Sequence, residues 1–423
     1  MKRVVITGLG VVAPNGINIP QFTHAIKNGI SGLHFLQELK DGLMGCCVAG
    51  VPVAFDDAIL KPYLSPGAFK SLRSTTVKYA LAAAIEAWTN ADLSINNNEV
   101  DYETGCVFGN GVCDVDHMRY AIQFYENNEV QKLGVRHIEQ LMTSGASAYI
   151  GGMFGLGNQV TANSSACSTG TEAVVMAYEK IKTGNAKRMI AGSCEASSKY
   201  IWGVFDAMRV LNRNFNDDPK GASRPMSVDS AGFVHGSGAG ALILEDLETA
   251  LERNAIIYGE IISGFVNSGG QRNCGSMTAP ASAGVRACIE TTIKNANINA
   301  NEIDLICGHL TGTGADKMEI ANWAAALNRK GNDFPFINTT KSLTGHCISA
   351  TGSIECVAAL LQLHENFIQP NMNCENIQPE ILEIINEDCI VKKPMNKTIN
   401  TIIKANFGFG DVNSCVIFKK YNQ

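Results

Sequence analysis

The chain has 423 residues, enough to bury a large core and usually to form two domains or two halves. Hydrophobic residues make up 45% and charged residues 17%, which favours a compact globular enzyme over a disordered or coiled-coil chain. The formal net charge of -6 gives no indication of general nucleic-acid binding, and no run approaches the roughly 18 apolar residues that a membrane span needs.

Fourteen cysteines are scattered along the chain. They form no CxxC pair and no Cys/His spacing of the kind that binds zinc. Many lie inside apolar segments, where reduced cysteine behaves as a small hydrophobic residue. We therefore expect reduced thiols, a cytoplasmic protein and no structural metal site.

The first predicted element is a buried strand at residues 4–7, a β-branched run that ends at Gly8. Residues 8–13 superficially match the glycine pattern of a dinucleotide-binding turn. A Pro-Asn-Gly turn follows at residues 14–16, where that motif needs a helix to continue. The pattern therefore favours a tight structural turn over a nucleotide site.

A helix is predicted at residues 78–91 and a buried strand at residues 104–110, from apolar spacing and composition. Lys70 and Arg73 place positive charge near the surface just before that helix, and such charge usually marks a solvated face. Residues 111–145 are mixed in composition and give no prediction.

Residues 161–184 combine a short extended segment, a cysteine with small neighbours and an amphipathic helix. Cys167 therefore lies at a strand-to-helix turn. Such a turn aims unpaired backbone N–H groups and the positive helix end at the thiol, which favours the thiolate and suits an oxyanion. The alternative is a buried cysteine that only fills space, and this stretch alone leaves both interpretations open.

Predicted strands and helices alternate through the rest of the chain. The first half continues with strands at residues 188–193 and 239–245 and a connecting helix at 246–254. The second half restarts with an apolar run at 256–266, and then has predicted helices at 283–296, 317–327 and 351–364 and strands at 303–307, 336–340, 401–406 and 414–419. This order predicts an α/β fold with largely parallel sheets covered by helices, in two related halves packed face to face.

Two of the eight histidines lie in loops that follow predicted buried strands. His309 opens the sequence HLTGTGAD, and His346 ends TKSLTGH, with Lys341 five residues earlier and Glu355 nine residues later. The loop NFGFGD at residues 406–411 also follows a strand, and its glycines allow the backbone to aim an N–H group inward. Functional groups often lie in strand-end loops, although a single loop histidine is more often incidental.

As an ordered set, these features resemble the β-ketoacyl-acyl-carrier-protein synthases. The set is Cys167 in SSACSTG, His309 in HLTGTGAD, His346 in TKSLTGH, and FGFG at 407–410. The opening VVITGLGVVAPNG and the segment RPMSVDSAGFVHGSGAGALILED are similar to the same family, and the similarity runs almost end to end. The resemblance is to the Cys-His-His condensing enzymes of the KAS I/II type, since a thiolase would use a second cysteine, and an initiating synthase an asparagine, in place of His346.

The resemblance implies a thiolase-like fold, in which two related α/β halves form a layered α-β-α-β-α core. Residues 1–250 would carry the nucleophile and residues 251–423 the two histidines. The implied activity is decarboxylative Claisen condensation of malonyl-acyl-carrier protein with an acyl group on Cys167. The resemblance implies no metal and no cofactor, because the substrates arrive on the phosphopantetheine arm of acyl carrier protein.

Position by position, the resemblance makes Cys167 the nucleophile and lets His309 and His346 bond the malonyl thioester oxygen. The backbone N–H groups of Cys167 and Phe409 would hold the oxyanion, and the Phe409 ring would gate the acyl pocket. The implied buried charge network around the histidines consists of Lys341, Glu355, Asp316 and Glu319, although a purely structural ion pair remains the alternative for the lysine.

The resemblance also implies residues that receive the carrier and its arm. Those lining the pantetheine route would be Thr311, Thr313 and Thr278, and those docking the acidic carrier would be Lys70, Arg73 and Arg213. The implied partners are acyl carrier protein and a second subunit, in a homodimer or in a heterodimer with a related chain. Neither nucleic acid nor a membrane is implied.

Some residues depart from the pattern of the family. They are His235, Ser237, Asn273, Ser276, Leu310 and Asp411, and the loop from Thr313 to Asp316 is one residue short. None removes a catalytic group, but several lie in loops around the substrate entrance and the acyl gate. The sequence therefore leaves open whether the product is a fatty acid or a specialised polyketide or polyene.

Four other functions are alternatives to condensation. A non-catalytic partner subunit that determines chain length would lack the nucleophile, so the presence of Cys167 argues against it. An acyltransferase or a malonyl decarboxylase on the same fold would use the same residues, and the sequence does not exclude either. A cysteine hydrolase fits poorly with two histidines and a lysine.

Overall fold

The computed structural model describes residues 1–95, 99–112 and 114–422. Its strands are β1 Val4–Val12, β2 Leu33–Phe35, β3 Val48–Gly50, β4 Thr104–Asn110, β5 Val160–Thr161, β6 Arg188–Glu195, β7 His235–Gly236, β8 Gly238–Asp246, β9 Gly259–Ser268, β10 Leu305–Cys307, β11 Phe336–Asn338, β12 Phe367–Ile368, β13 Met395–Asn396, β14 Thr401–Gly408 and β15 Val412–Lys419. Its α-helices are α1 Ile19–Asn28, α2 Gln37–Asp41, α3 Pro66–Ser71, α4 Thr75–Asn90, α5 Val115–Glu126, α6 His137–Leu141, α7 Gly145–Phe154, α8 Thr169–Lys182, α9 Lys199–Ala207, α10 Leu247–Glu252, α11 Ser282–Ala296, α12 Asp316–Leu327, α13 Lys341–Thr344, α14 Thr351–Glu365 and α15 Pro379–Leu382.

Ten strands form one sheet in the order β11-β10-β14-β15-β9-β1-β8-β6-β4-β5. Its two halves meet where β1 pairs with β9 in antiparallel register. Outward from that seam, the first half runs β1-β8-β6-β4-β5 and the second runs β9-β15-β14-β10-β11. Each half contributes five strands to this sheet. Numbered in chain order within the half, they lie in the order first, fifth, fourth, second and third outward from the seam. The two halves thus share one strand order, and the exact division at residues 1–250 and 251–423 stays a prediction.

The strand pairing is mixed, so the prediction of largely parallel sheets is wrong. Strand β4 pairs in parallel with β5 and β6, and β10 pairs in parallel with β11 and β14. The pairs around the seam are antiparallel, including β1 with β8 and β15 with β9. The short turn between β14 and β15 also makes those two strands antiparallel neighbours, because a turn of that length reverses the chain direction.

Helices α8 and α14 pack against each other on the inner face of the sheet. Residues 351–363 of α14 are buried all round, as expected for a helix with sheet and helix neighbours on every side. Helices α4 and α7 cover an outer face of the first half, and α11 and α12 cover that of the second. This layered arrangement of two related halves confirms the fold class that the resemblance implied.

Gly8 and Gly10 lie inside β1, so the predicted end of the first strand at Gly8 is wrong. A Cβ atom added at Gly10 would lie 2.0 Å from the carbonyl oxygen of Ala83 in α4. Glycine is needed there because the helix backbone packs directly on the strand. The turn predicted at residues 14–16 is confirmed, since the N–H of Ala13 donates to the carbonyl oxygen of Gly16 and the N–H of Gly16 donates to that of Ala13.

Most other predicted elements are confirmed within a few residues at each end. The strand at residues 104–110 has the predicted bounds, and the helix predicted at 78–91 begins earlier, at Thr75. Residues 111–145, where no element was predicted, contain α5, α6 and the first residue of α7. In the described ranges no helix is both long and apolar enough to cross a membrane.

Candidate active site

Cys167 lies in one turn of 3-10 helix, Ala166–Ser168, that leads directly into α8. Ala166 has a φ of 47°, in the left-handed region that a residue with a Cβ atom rarely adopts. The chain therefore bends sharply just before the cysteine. The predicted turn at the start of an amphipathic helix is confirmed, with Cys167 at its apex.

A second turn of the same kind, Ile348–Ala350, leads into α14 in the other half of the molecule. The two helices touch backbone to backbone, since a Cβ atom added at Gly170 would lie 2.2 Å from the backbone nitrogen of Ser353. This close approach brings the two turns together at the seam between the halves.

Cys167, His309 and His346 converge at this point. Their nearest sulfur and nitrogen atoms all lie within 4.8 Å of one another, and the Nε2 atom of His346 is 3.1 Å from the Cys167 sulfur. The three residues are 8%, 9% and 3% exposed. They line a cavity of about 270 Å³ whose other walls are mostly apolar, formed among others by Phe205, Val210, Phe233, Val285, Ile348 and Phe407.

The Cys167 sulfur also accepts hydrogen bonds from the backbone N–H groups of Cys167 itself and of Phe409. Burial raises the pKa of the thiol to about 11, against the opposing effects of the Lys341 charge and of these N–H groups. The sequence predicted a thiolate, whereas the substrate-free site favours a thiol because the loss of solvation outweighs the polar contacts.

His346 has a defined tautomer. The backbone N–H of Ile348 donates to its Nδ1 atom at 3.1 Å, and the hydroxyl of Thr351 lies 2.9 Å from the same atom. Because a backbone N–H can only donate, Nδ1 is the acceptor and the proton is on Nε2. His346 therefore presents a donor to the Cys167 sulfur and is not a base for its proton.

His309 has the same tautomer through a different contact. The side-chain amide nitrogen of Asn406 donates to its Nδ1 atom at 3.1 Å, which leaves the proton on Nε2. Burial, followed by the positive charge of Lys341, lowers the pKa of both histidines well below the ordinary value. Both rings are thus neutral hydrogen-bond donors at neutral pH.

Within the described ranges, the cysteine and two histidines are also the one group close enough to hold a metal ion. A metal ion binds the lone pair of an unprotonated ring nitrogen or a thiolate. Here Nδ1 of each histidine is occupied by a donor, so Nε2 carries the proton. The donor set therefore suits an anionic oxygen better than a metal ion.

The predicted charge network divides into two separate parts, of which the first surrounds Glu355. The ammonium of Lys341 lies 2.6 Å from one carboxylate oxygen of Glu355, and that of Lys404 lies 2.9 Å from the other. Burial raises the pKa of Glu355, but the charges of the two lysines lower it by more, so the net shift is downward. Sequence reasoning missed Lys404 and Asn406, although a lysine inside an apolar strand was a visible signal.

The second part of the predicted network holds the backbone of the His309 loop. Glu319 accepts the N–H groups of His309 and Leu310, both at 2.7 Å. Asp316 accepts the N–H groups of Thr311 at 2.9 Å and Gly312 at 3.1 Å. Burial raises the pKa of Glu319 to about 7 and that of Asp316 to about 6. Neither carboxylate has a salt bridge to Lys341.

Phe409 lies in the turn between β14 and β15, and its ring is 6.2 Å from that of Phe205 across the cavity. Asp411, in the same turn, is buried and has a φ of 61°. Its carboxylate accepts the N–H groups of Gln271 and Ala281, each at 2.9 Å. The departure at Asp411 therefore ties the Phe409 turn to the loop before α11.

The predicted pantetheine residues line the cavity that ends at Cys167. Thr278, Thr311 and Thr313 are all in its wall, and the hydroxyl oxygens of Thr311 and Thr313 are 3.0 Å apart. Asn273 and Ser276 are exposed on the loop that also carries Thr278. Leu310 is fully buried against α12.

The predicted docking residues are not brought into the site. Lys70 and Arg73 are exposed, at the end of α3 and just after it. The guanidinium of Arg213 donates to the carboxylate of Asp206 at 3.0 Å. Their role in binding a carrier stays a prediction.

Two departures in the first half, His235 and Ser237, are buried. His235 is buried among the rings of Trp202, Phe205 and Phe233, and burial lowers its pKa to about 3. The hydroxyl of Ser237 lies 2.5 Å from that of Ser197. Neither residue lines the cavity.

Comparison with known proteins places this site in a known setting. Residues 1–250 match the family model described as Beta-ketoacyl synthase, N-terminal domain, and residues 258–375 match Beta-ketoacyl synthase, C-terminal domain. A curated relative, 3-oxoacyl-acyl-carrier-protein synthase 1 of Buchnera aphidicola subsp. Acyrthosiphon pisum (strain APS), is 34% identical over 425 residues, which is 100% of both chains.

Two solved structures are similar to this chain over all or nearly all of its length. A beta-ketoacyl synthase from Burkholderia phymatum STM815 has a TM-score of 0.90 at 26% identity, over 100% of both chains. A type II PKS ketosynthase, solved in complex with its acyl-carrier protein and bound to the hexaketide, has a TM-score of 0.85 at 25% identity, over 99% of this chain and 100% of that one.

Proposed function

Because the chain belongs to the β-ketoacyl synthase family, we propose that it condenses malonyl-acyl-carrier protein with an acyl group held on Cys167, with loss of carbon dioxide. One observation carries this proposal: a cysteine thiol and two neutral histidine donors, all within 4.8 Å, lie in one largely apolar cavity. A nucleophile beside two aimed donors suits a reaction in which a thioester is first formed and a second thioester then becomes an enolate.

In the first step, the Cys167 sulfur attacks the acyl thioester of the carrier. The S–acyl bond of Cys167 forms, the carrier sulfur leaves, and the thiol proton ends on that leaving thiolate. The backbone N–H groups of Cys167 and Phe409 stabilise the tetrahedral oxyanion, because both point at the reacting centre. His346 lowers the cost of negative charge on the sulfur through its Nε2–H group.

In the second step, the malonyl thioester loses its carboxylate. The carbon–carbon bond to the carboxylate breaks, carbon dioxide leaves, and the electron pair enters an enolate whose thioester oxygen is held by the Nε2–H groups of His309 and His346. The enolate carbon attacks the acyl carbonyl, the Cys167 thiolate leaves, and a proton from water restores the thiol. Both rings must be neutral to donate without giving up a proton, which agrees with the direction of their pKa shifts.

The substrate arm is proposed to enter along Thr278, Thr311 and Thr313, which line the cavity. We propose acyl carrier protein as the partner, with Lys70, Arg73 and Arg213 as docking residues, and we propose that no further cofactor takes part. The related type II ketosynthase was solved with its own carrier protein, which supports a carrier as partner for this chain.

We also propose a homodimer in the cytoplasm. Support for the compartment comes from the thirteen described cysteines, all of which are free thiols. The proposal does not decide between fatty acid and polyketide or polyene synthesis, since relatives of both kinds are found. A chain-length-determining subunit without catalysis is disfavoured by the intact cysteine and histidines.

The test combines acylation and product analysis. Purified protein is incubated with acyl-carrier proteins of several chain lengths, and its intact mass is compared with that of Cys167→Ala. We expect an acyl adduct on the wild type alone, and a β-ketoacyl-carrier product once malonyl-carrier protein is added. An adduct without a new carbon–carbon bond would reassign the protein as an acyltransferase, and the absence of any adduct on folded protein would refute the proposal.

A further inference from the structure

Lys404 is a lysine without any exposed surface in the middle of β14, between Ile403 and Ala405. Its ammonium group has three acceptors: a carboxylate oxygen of Glu355 at 2.9 Å, the side-chain oxygen of Asn406 at 2.6 Å and the carbonyl oxygen of Ala405 at 2.7 Å. Three acceptors satisfy all three N–H bonds of an ammonium group. The site around Lys404 is therefore built for a charged lysine.

Charge balance alone does not explain this lysine. Glu355 already has a buried partner in Lys341, whose ammonium is 2.6 Å from the other carboxylate oxygen. A second buried cation on one carboxylate leaves a surplus positive charge, which is costly to remove from water. The second lysine must therefore stabilise something besides the charge of Glu355.

That further contact is Asn406, whose side-chain amide makes all four of its possible hydrogen bonds. Its oxygen accepts from Lys404 and from the hydroxyl of Thr171, each at 2.6 Å. Its nitrogen donates to Glu355 and to Nδ1 of His309, each at 3.1 Å.

Only one orientation of the Asn406 amide fits these neighbours. An ammonium group can never accept a hydrogen bond, so the amide oxygen must face Lys404. An ionised carboxylate can never donate one, so the amide nitrogen must face Glu355. The nitrogen side of Asn406 is then also the side that meets His309, and Nδ1 of His309 has to accept.

We propose that Lys404 is a positioning residue that sets the tautomer of His309 through Asn406, so that the Nε2–H group of His309 faces the thioester oxygen of the malonyl donor. The inference rests on the proposed function for the identity of that donor. The Lys404 charge has a second effect in the same direction, because it helps to keep both active-site histidines neutral. Lys404 itself touches no reacting atom.

The main test is Lys404→Met, which keeps the length of the side chain and removes its charge and donors. We expect the rate constant kcat of condensation to fall at least tenfold with little change in KM for malonyl-carrier protein. Acyl transfer to Cys167 should stay within threefold of the wild type, because that step does not use the His309 donor. A structural defect would instead lower both half-reactions together, and that outcome would overturn the proposal.

Thr171→Val is the matched control, because it removes the other donor to the Asn406 oxygen without changing charge. The ammonium of Lys404 still determines the amide orientation in this variant, so we expect a loss of condensation below threefold. An equal loss in Thr171→Val and Lys404→Met would mean that Lys404 has no special role. An unchanged condensation rate in Lys404→Met would refute the proposal directly.

Nitrogen-15 NMR of histidine-labelled protein reads the tautomer without any substrate, with the His309 signals identified by their loss in His309→Asn. In Lys404→Met, Glu355 keeps only one of the two cations that lower the pKa of its carboxyl, so its carboxylate holds the Asn406 amide nitrogen less firmly. We therefore expect a protonated Nε2 in the wild type and a mixture of tautomers in Lys404→Met. This readout separates the two hypotheses: a tautomer change in a protein that forms no carbon–carbon bond would support the role of Lys404 and refute the proposed function.

If Lys404→Met does not fold, Lys404→Gln decides the same question, because its amide keeps one donor without the charge. A His309 tautomer that stays as in the wild type in folded Lys404→Gln, together with a condensation loss below threefold, would assign the role to the donor. A mixture of tautomers would assign it to the charge. A wild-type tautomer with a tenfold slower condensation would overturn the proposal.

Discussion

Two turns with the same backbone differ in what surrounds them. Ala166 at a φ of 47° and Ile348 at a φ of 45° each begin a three-residue 3-10 turn that enters a long buried helix. The sequences ACSTGT and ISATGS at these turns also correspond position by position. The repeat therefore places Cys167 and Ser349 at equivalent points of the two halves.

Their surroundings give the two residues different chemistry. Cys167 faces the Nε2–H group of His346 and the N–H group of Phe409, which both favour negative charge on sulfur. The single proton of the Ser349 hydroxyl is shared between two acceptors, a carboxylate oxygen of Glu195 at 2.5 Å and the carbonyl oxygen of Cys194 at 2.8 Å. Negative charge on that oxygen would be repelled. The turn supplies a position, and the neighbours decide whether the residue there is a nucleophile.

The largest expected effect tests this contrast directly. Cys167→Ala should abolish the acyl-enzyme and slow condensation by about 10³-fold or more, since the nucleophile is lost. Ser349→Ala should slow acyl transfer by less than about tenfold, because it removes one hydrogen bond and no reacting group. Intact mass and single-turnover acylation measure both. A Ser349→Ala protein that folds but forms no adduct would remove the distinction between the turns.

The next largest effect compares how the two active-site histidines are held in place. His346 is held by Ile348 and Thr351 of its own turn, whereas His309 depends on Asn406. Asn406→Asp replaces the donor with an acceptor, so the Nε2 proton of His309 should be lost and condensation should slow by about 10²-fold. Thr351→Val should cost less than about tenfold, because the Ile348 N–H group still holds Nδ1.

Steady-state condensation rates check this pair of variants, with acylation of Cys167 as the internal control. Asn406→Asp should leave acylation almost unchanged. Equal losses in the two variants would show that the local and the distant arrangement matter alike, contrary to our expectation.

A third prediction concerns the pH dependence of Cys167 itself. Burial raises the pKa of its thiol to about 11, so the thiolate fraction, and with it the alkylation rate by iodoacetamide, should rise about tenfold per pH unit between pH 8 and 10. Mass spectrometry of the alkylated protein follows the rate, and the exposed Cys274 provides a comparison within the molecule. A rate already constant at pH 8 would indicate a thiolate in the free enzyme.

The smallest effect concerns the strained residues that open the two turns. The left-handed conformation of Ala166 costs the folded state about 1–2 kcal/mol, and Ala166→Gly removes this cost. The greater flexibility of glycine in the unfolded chain offsets about 0.4–1 kcal/mol of that gain in stability. We expect a slightly higher melting temperature. Ile348→Gly relieves the same strain but loses a buried side chain worth about 2–5 kcal/mol, so its melting temperature should fall. Calorimetry of the two variants checks the opposite signs.

Much of the fold was predictable because local signals agree with it. The strand at residues 104–110 and the helix that becomes α14 follow from apolar composition and spacing. Strand direction was not predictable, since hydrogen-bond partners come from distant parts of the chain. The first strand was predicted to end too early, at Gly8, because the sequence does not show that α4 packs on Gly8 and Gly10.

The candidate site was predictable in part for a similar reason. Cys167, His309 and His346 stand in short motifs with glycine and small neighbours, so the resemblance identified them. Lys404 was missed because a single lysine in a strand has no motif, and its importance comes from contacts with Glu355 and Asn406. Asp316 and Glu319 were grouped with Lys341, whereas they bond the backbone of the His309 loop.

The sequence by itself determined most of the elements, the turn that carries Cys167 and the family, because each depends on short motifs of residues close together in the chain. Only the tertiary structure decided which turn is reactive and which nitrogen of each histidine carries the proton. Those properties depend on donors, acceptors and burial supplied by residues far away in sequence, such as Asn406 for His309, 97 positions apart. Joining the two halves at the β1–β9 seam, with α8 packed against α14, brings these groups together and removes water from them, and no short stretch of sequence contains that information.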